Sequence, residues 1–324
     1  MSLNNQTVLV TGATGFLGGK LARRLIDDGA HVRAITRNPA RGAALAEIGV
    51  EVVKADLTDS GSLKEAAEGC TVVFHAAVDY TSHANQVRVN VDGTRALAEA
   101  SKRANVKRIV HVSSISAYGY GVRGEVCEDH ALQPTAHPYS ITKAEGEAVI
   151  RKSGLEYAII RPGMIYGAEA DIWTNGMFKL AKMRPTVWFD GGGGNAPFIH
   201  ADDVIDLMIT AAEHPNAANQ IFHCTPDPSP TWREVFTLYA RMNGHEWQPI
   251  PVKPLAQVMG GLMTLFAPRI SFARDLPDMI GLMTGPVTYH MDKARDLLNW
   301  VPKVALVDGI TGCAESLRKN GLLV

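Results

Sequence analysis

Two polar side chains stand one helical turn apart in the run Tyr139-Ser140-Ile141-Thr142-Lys143. Residues i and i+4 share a helix face, so phenol and ammonium point the same way. Unperturbed, Tyr titrates near ~10 and Lys near ~10.4. A nearby cation favours the phenolate, which makes Tyr139 a usable general acid/base at working pH. A YxxxK spacing by itself is common on surface helices, and here its weight comes from position. Val112-Ser113-Ser114 closes a β-branched run upstream and is followed by Tyr118-Gly119. A serine at that strand end faces a ligand crevice or merely caps the strand. Ser114 is the stronger candidate for chemistry; Val112 and Ser113 are read as lining a cofactor.

A second constellation lies at the start, in Val8-Leu-Val-Thr-Gly12-Ala-Thr14-Gly15-Phe16-Leu17-Gly18. Three glycines in this phase, after a strand and opening a helix, form a dinucleotide loop. Gly12 permits the tight turn, Gly15 lets backbone approach a pyrophosphate at the helix N-terminus, and Gly18 allows close helix packing. Thr14, Phe16 and Leu17 belong to the same cradle. An acidic residue commonly stands about 20 residues past such a loop and grips the ribose 2′-hydroxyl of NAD. Here the second strand ends in Thr36-Arg37. A guanidinium and no carboxylate suit a 2′-phosphate, so NADP (as NADPH) is expected over NAD. Asp56 and Leu57 follow the third strand, where they would meet the adenine.

These groups need a scaffold. Candidate strands are Thr7–Thr11, His31–Thr36, Val50–Lys54, Thr71–His75, Arg108–Ser113 and Glu156–Arg161. Candidate helices between them are Phe16–Asp28, Leu63–Glu68, His83–Ala104 and Tyr139–Lys152. Short β-branched strands alternating with helices predict an α/β fold with a doubly wound parallel sheet. Ligands bind at the carboxyl ends of such strands. After Tyr166 the rhythm breaks. Residues 1–166 are expected to form the dinucleotide-binding domain, with 196–222 returning to it; the strand and helix of Phe198–Glu213 carry that return. Residues 167–195 and 223–324 are expected to form a smaller substrate-binding region ending in a helix over Val307–Lys319.

The motifs resemble, in order and nearly to the C-terminus, the extended short-chain dehydrogenase/reductases. They run TGATGFLG, Asp56-Leu57, His75-Ala76-Ala77, Asn90-Val91-Asp92-Gly93-Thr94, SSISAYG, YSITK, Arg161-Pro162-Gly163 and His200-Ala201-Asp202-Asp203-Val204, with a tail motif at Asp292–Trp300. The resemblance implies a Rossmann fold in which Ser114 polarises the substrate oxygen and Tyr139 exchanges the proton. It gives Lys143 the nicotinamide ribose and the task of lowering the Tyr139 pKa. It also places Ala76, Ala77, Asn90, Pro162, Gly163 and Met164 at the cofactor. Relatives commonly form homodimers through helices corresponding to His83–Ala104 and Tyr139–Lys152. Leu97, Ala98 and Ala100 with Ala144, Ala148 and Val149 offer packing surface for that, or for the sheet.

The sugar-nucleotide branch of this family carries an Arg-Asp-Phe whose arginine grips the diphosphate; here the place reads Ala196-Pro197-Phe198. Arg184 or Arg233 could compensate. The substrate region instead holds Trp173, Met177, Phe178, Trp188, Phe189, Met259, Met263, Phe266 and Phe272, read as an adaptable apolar pocket or as that region's core. Pro254–Ala267 suits a lid. The resemblance to the 3β-hydroxysteroid dehydrogenase and dihydroflavonol-reductase branch implies an oxidoreductase interconverting a hydrophobic ketone or aldehyde and its alcohol. The alternatives are an epimerase or dehydratase with retained cofactor, and a non-catalytic NADP sensor. His137, directly before Pro138-Tyr139, is a further candidate to reach substrate.

Composition sets the frame. With 46% hydrophobic and 20% charged residues in 324, the chain can build a sizeable core. A formal charge of −1 argues against a nucleic-acid partner. Cys70, Cys127, Cys224 and Cys313 fit no zinc spacing and are expected as free thiols in a reducing compartment. No metal constellation, signal peptide or spanning segment is visible, so a cytoplasmic protein without membrane contact is expected.

Overall fold

The computed structural model describes residues 2–134, 137–184, 186–252, 281 and 283–324. Met259, Met263, Phe266, Phe272 and the lid expected at Pro254–Ala267 lie outside them.

Seven parallel strands make the central sheet. They are β1 (Thr7–Thr11), β2 (His31–Thr36), β3 (Glu51–Lys54), β4 (Val72–His75), β5 (Arg108–Val112), β7 (Glu156–Pro162) and β11 (Gln220–Cys224), in the order β11-β7-β5-β4-β1-β2-β3. Parallel strands buried on both faces read as near-continuous apolar runs, and every residue of β4 and β5 is buried. Alternation sorts their side chains into two layers. Val8, Val10, Val110, Val112 and Ile160 meet Leu21, Leu25, Val204 and Leu207 from two helices on one face. Leu9, Ile109 and Ile159 meet Leu63, Leu97 and Ile150 from three helices on the other. After β3 the chain crosses to the far side of β1 to lay down β4, so a crevice opens at the carboxyl ends of β1 and β4.

Three short strand pairs build the rest. β6 (Gly124–Val126) pairs with β13 (Val287–Tyr289), β8 (Met164–Tyr166) with β10 (Phe198–His200), and β9 (Thr186–Phe189) with β12 (Pro249–Val252). A separate aromatic core of Tyr166, Phe178, Trp188, Trp232, Phe236 and Tyr239 holds the smaller region.

Four expectations change. The strand at Phe198–His200 does not return to the central sheet; it pairs with β8, and only the following helix Ala201–Glu213 packs on the sheet. The seventh sheet strand is Gln220–Cys224, paired with β7 from Gln220↔Ala158 to Cys224↔Pro162. The helix over His83–Ala104 is regular at its two ends but widens to an i→i+5 turn over Val87–Gly93. The C-terminal helix breaks at Gly312-Cys313 into Leu306–Thr311 and Ala314–Lys319.

Leu97, Ala98 and Ala100 are all buried against the sheet and are not a free dimer face. Of the residues offered for pairing, Ala148 alone is exposed, with Ala144 and Val149 half-buried. No helix among the described residues is long and apolar enough to cross a membrane.

Candidate active site

A single cleft of about 1010 Å³ runs over the carboxyl ends of the strands. At one end it meets the glycine loop. Gly12 sits at φ +73°, and a Cβ there would come within 2.8 Å of the backbone of Ala76 and Ala77. The amide of Gly15 donates to the Gly12 carbonyl at 2.9 Å. A Cβ on Gly18 would stand 2.4 Å from that same carbonyl oxygen, so the Phe16–Asp27 helix lies directly on the turn. This helix start has no side-chain cap and no acid in its first turn. Unsatisfied N–H groups at an N-terminus that faces a cleft make an anion site. The chain therefore fits the pyrophosphate of a dinucleotide here.

Thr14, Phe16, Leu17, Arg37, Asp56, Leu57, Ala76 and Ala77 line the same cleft, as do Val112, Pro162, Gly163 and Met164. Asp56 Oδ1 accepts from the amide and hydroxyl of Thr58, which fixes the carboxylate at the end of β3. Arg37 and Arg41 both reach the cleft and are exposed. Neither makes an ion pair among the described residues. Sequence reasoning found Arg37 and missed Arg41, which returns to the strand end only because the chain turns at Pro39–Gly42.

Ser114, Tyr139 and Lys143 converge in the middle of the cleft. The helix that carries the last two, Pro138–Lys152, is capped by His137, whose Nδ1 accepts from the Tyr139 amide at 3.3 Å. His137 lines the cleft, but this nitrogen serves the cap. Lys143 Nζ donates to the Val112 carbonyl at 2.8 Å and lies 5.7 Å from the centre of the Tyr139 ring. Ser114 Oγ accepts from the Ser116 amide at 3.1 Å. Its own proton is thereby left for the Tyr139 oxygen, with which it hydrogen-bonds.

Burial sets the protonation states. Desolvation holds the Tyr139 phenol well above its ordinary pKa, and the neighbouring Tyr80 adds to this, while the Ser114 bond works against it. In this state loss of water is the largest influence on the phenol. Lys143 itself is pushed down to about 8 by burial, with Glu147 opposing. His75, bonded at both nitrogens to Thr11 and Thr94, is pushed down to about 3 by burial. It is a neutral wall beneath the cleft.

Three assignments move. Asn90 does not line the cleft; its side chain is committed to the Asp79 backbone and Thr142, and its role is to hold the loop after β4. The Ser113 hydroxyl donates to Glu147 Oε1 at 2.5 Å, so that residue presents only its remainder to the cleft. Of the large apolar residues among the described ones, Trp173 reaches it, while Met177, Phe178 and Trp188 pack in the smaller region's core; the Phe189 side chain lies outside the described set. In their place the far wall is built from Tyr80, Tyr120, Ala170, Ile172, Val287 and Tyr289, with the charged Arg123, Glu169 and Asp171 beside them. The sequence marked none of these. Tyr80 is 59% exposed and its ring lies 5.2 Å from that of Tyr139.

A family model described as the NAD dependent epimerase/dehydratase family matches residues 8–224. The chain belongs to this family. Within it, the extended short-chain dehydrogenase/reductases include the relatives at hand. The chain is 31% identical to "Ceramide reductase" of Caulobacter vibrioides, over 98% of this chain and 96% of the relative. It is 38% identical to "Sterol demethylase protein B" of Methylococcus capsulatus, over 95% and 98%. The solved structure of MoeE5 with UDP-glucose and NAD covers 97% of this chain and 99% of its own, at a TM-score of 0.77 and 23% identity; that likeness shows the fold. This member of the family is a nicotinamide-dependent oxidoreductase.

Proposed function

We propose that the protein interconverts a hydrophobic ketone or aldehyde and its alcohol with NADP(H). The observation that carries this reading is the composition of one cleft. An uncapped helix start and two arginines lie at one end, Ser114, Tyr139 and Lys143 in the middle, and beyond them a far wall in which aromatic and aliphatic side chains outnumber the charged ones.

Position 196, where the sugar-nucleotide branch has its arginine, is a fully buried alanine whose amide donates to the Pro230 carbonyl. Arg233 stacks on Trp247 and Arg184 lies away from the cleft. Neither supplies the missing diphosphate contact. Relatives named for ceramide and sterol chemistry support the apolar class. For the cofactor, Thr36 turns its hydroxyl to the Asn38 carbonyl at 3.1 Å. That leaves Arg37 and Arg41 as the groups for the adenosine ribose, and guanidinium–phosphate contacts are charge-assisted.

The bound nicotinamide supplies the hydride in reduction and takes it back in oxidation. The residues then divide the remaining work. Ser114 and Tyr139 donate to the substrate oxygen. As negative charge grows there, Tyr139 gives up the proton that burial has kept on it, and Ser114 stabilises the developing charge. The Lys143 ammonium holds the nicotinamide ribose and offsets the charge left on Tyr139.

Absorbance of NADPH against apolar ketones, aldehydes, sterols and sugar nucleotides tests the proposal. Stoichiometric consumption with an apolar carbonyl is expected. Conversion of a sugar nucleotide with no net consumption of NADPH would overturn it in favour of an epimerase or dehydratase.

A further inference from the structure

One titratable group sits on the catalytic helix without a role so far. Glu147 follows Lys143 by four residues, as Lys143 follows Tyr139, so all three share a face. Its side chain is 1% exposed. Arg161, on β7 and itself 2% exposed, grips the carboxylate with two bonds, Nε to Oε1 at 2.9 Å and Nη2 to Oε2 at 2.7 Å. Ser113 donates to Oε1 at 2.5 Å from the end of β5. The guanidinium is in turn anchored to the Tyr118 hydroxyl and to the Glu128 carbonyl. The carboxylate is thus fixed by three bonds from two strands, directly behind the residues that line the cleft.

We propose that Glu147 is a positioning residue for Lys143: held by Arg161 and Ser113, it keeps the buried ammonium charged and directed at the cofactor ribose. The inference rests on the proposed role of Lys143. An ammonium taken out of water loses its proton unless an anion compensates. The other titratable groups against Lys143 are His75 on β4, His111 on β5 and Tyr139 on its own helix. Burial keeps all three neutral. Facing Glu147 are Arg161 and Tyr118, and the latter is held protonated by burial. Glu147 is the carboxylate whose charge supports that of Lys143. A pair serving stability alone would need neither the third bond from the strand end nor its place one turn from the lysine.

The test is the affinity of NADPH, read by its fluorescence across pH, which needs no substrate. In the wild type the affinity falls as Lys143 deprotonates. In Glu147→Gln that fall is expected to move down by about one pH unit, a tenfold change in proton affinity. In Glu147→Asp, which keeps the charge, it is expected to stay near the wild-type position. An unmoved profile in Glu147→Gln overturns the proposal, and so does an Asp variant displaced as far as Gln, since packing would then be the cause. If Glu147→Gln alone does not fold, Glu147→Gln with Arg161→Met leaves neither buried charge unmatched, and a downward move or its absence decides in the same way. Lys143→Met separates the two levels. If the wild-type fall survives in that variant, the reading of Lys143 is wrong. If it disappears there while Glu147→Gln leaves the profile unmoved, only the role of Glu147 is wrong.

Discussion

The Lys143 ammonium donates to the Val112 carbonyl at 2.8 Å, and this bond, with that of Ser113 to Glu147, ties the helix bearing Tyr139 and Lys143 to the strand end bearing Ser114. With its pKa at about 8, the lysine is charged below that pH and neutral above it. NADPH affinity is expected to be flat from pH 6 to 7.5 and to weaken as pH rises through about 8. Fluorescence titration at stepped pH checks this. A profile that stays flat to pH 9.5 would show that the ammonium contributes nothing to cofactor binding.

Tyr139→Phe removes the proton donor and leaves ring packing against Tyr80 intact. Turnover is expected to drop ~10²–10⁴-fold, the usual contribution of general acid–base catalysis, with cofactor affinity nearly unchanged. Lys143→Ala should damage both. Ser114→Ala should fall between the two in turnover, since it loses one donor to the developing oxyanion. Single-turnover NADPH oxidation for the three variants, beside their cofactor affinities, separates these outcomes. A Tyr139→Phe enzyme keeping more than about a tenth of wild-type turnover, well outside that range, would remove Tyr139 from its role.

NADPH is expected to bind more tightly than NADH by one to two orders of magnitude. A charged hydrogen bond to phosphate contributes roughly 1.5–3 kcal/mol, and about 1.4 kcal/mol is tenfold. Arg37→Ala and Arg41→Ala should each weaken NADPH selectively, and the double variant should bring the two cofactors close to parity. Equal affinity in the wild type would sink the assignment.

What could be read from sequence follows a physical division. The glycine loop and the Tyr139/Lys143 spacing were legible because each is local: backbone conformation in one case, helix periodicity in the other. Groups joined by distant contacts were not. Gln220–Cys224 is as long as β1 but lies after the alternation of strand and helix has broken, and it becomes a sheet strand only by pairing with β7. Ser113 and Glu147 lie 34 positions apart, and nothing in either segment says that they meet. Met177, Phe178 and Trp188 have the composition of a pocket wall, but their helix and strand pack them into a core. Type alone does not give direction. The burial that raises the Tyr139 pKa is hidden for a related reason, since helix spacing reveals a neighbouring cation but not the loss of water.

The glycine turn permits a test that separates backbone strain from cofactor binding. Gly12 and Gly49 both lie at positive φ, +73° and +92°. An L-residue in that region costs roughly 1–2 kcal/mol. A Cβ on Gly49 meets nothing within 4 Å, whereas one on Gly12 meets the backbone of Ala76 and Ala77 at 2.8 Å. Backbone cannot swing aside as a side-chain tip can, so Gly12→Ala must shift the segment after β4 that lines the cleft. Gly49→Ala is expected to lower the melting temperature modestly with cofactor affinity intact. Gly12→Ala is expected to lower it further and to weaken NADPH and NADH alike by more than about tenfold, or about 1.4 kcal/mol. That common loss distinguishes it from the selective loss in Arg37→Ala. Thermal melts and titrations of both cofactors on the two variants give the answer. Should Gly12→Ala match Gly49→Ala in both measurements, the close approach between the turn and Ala76-Ala77 does not govern the cofactor site.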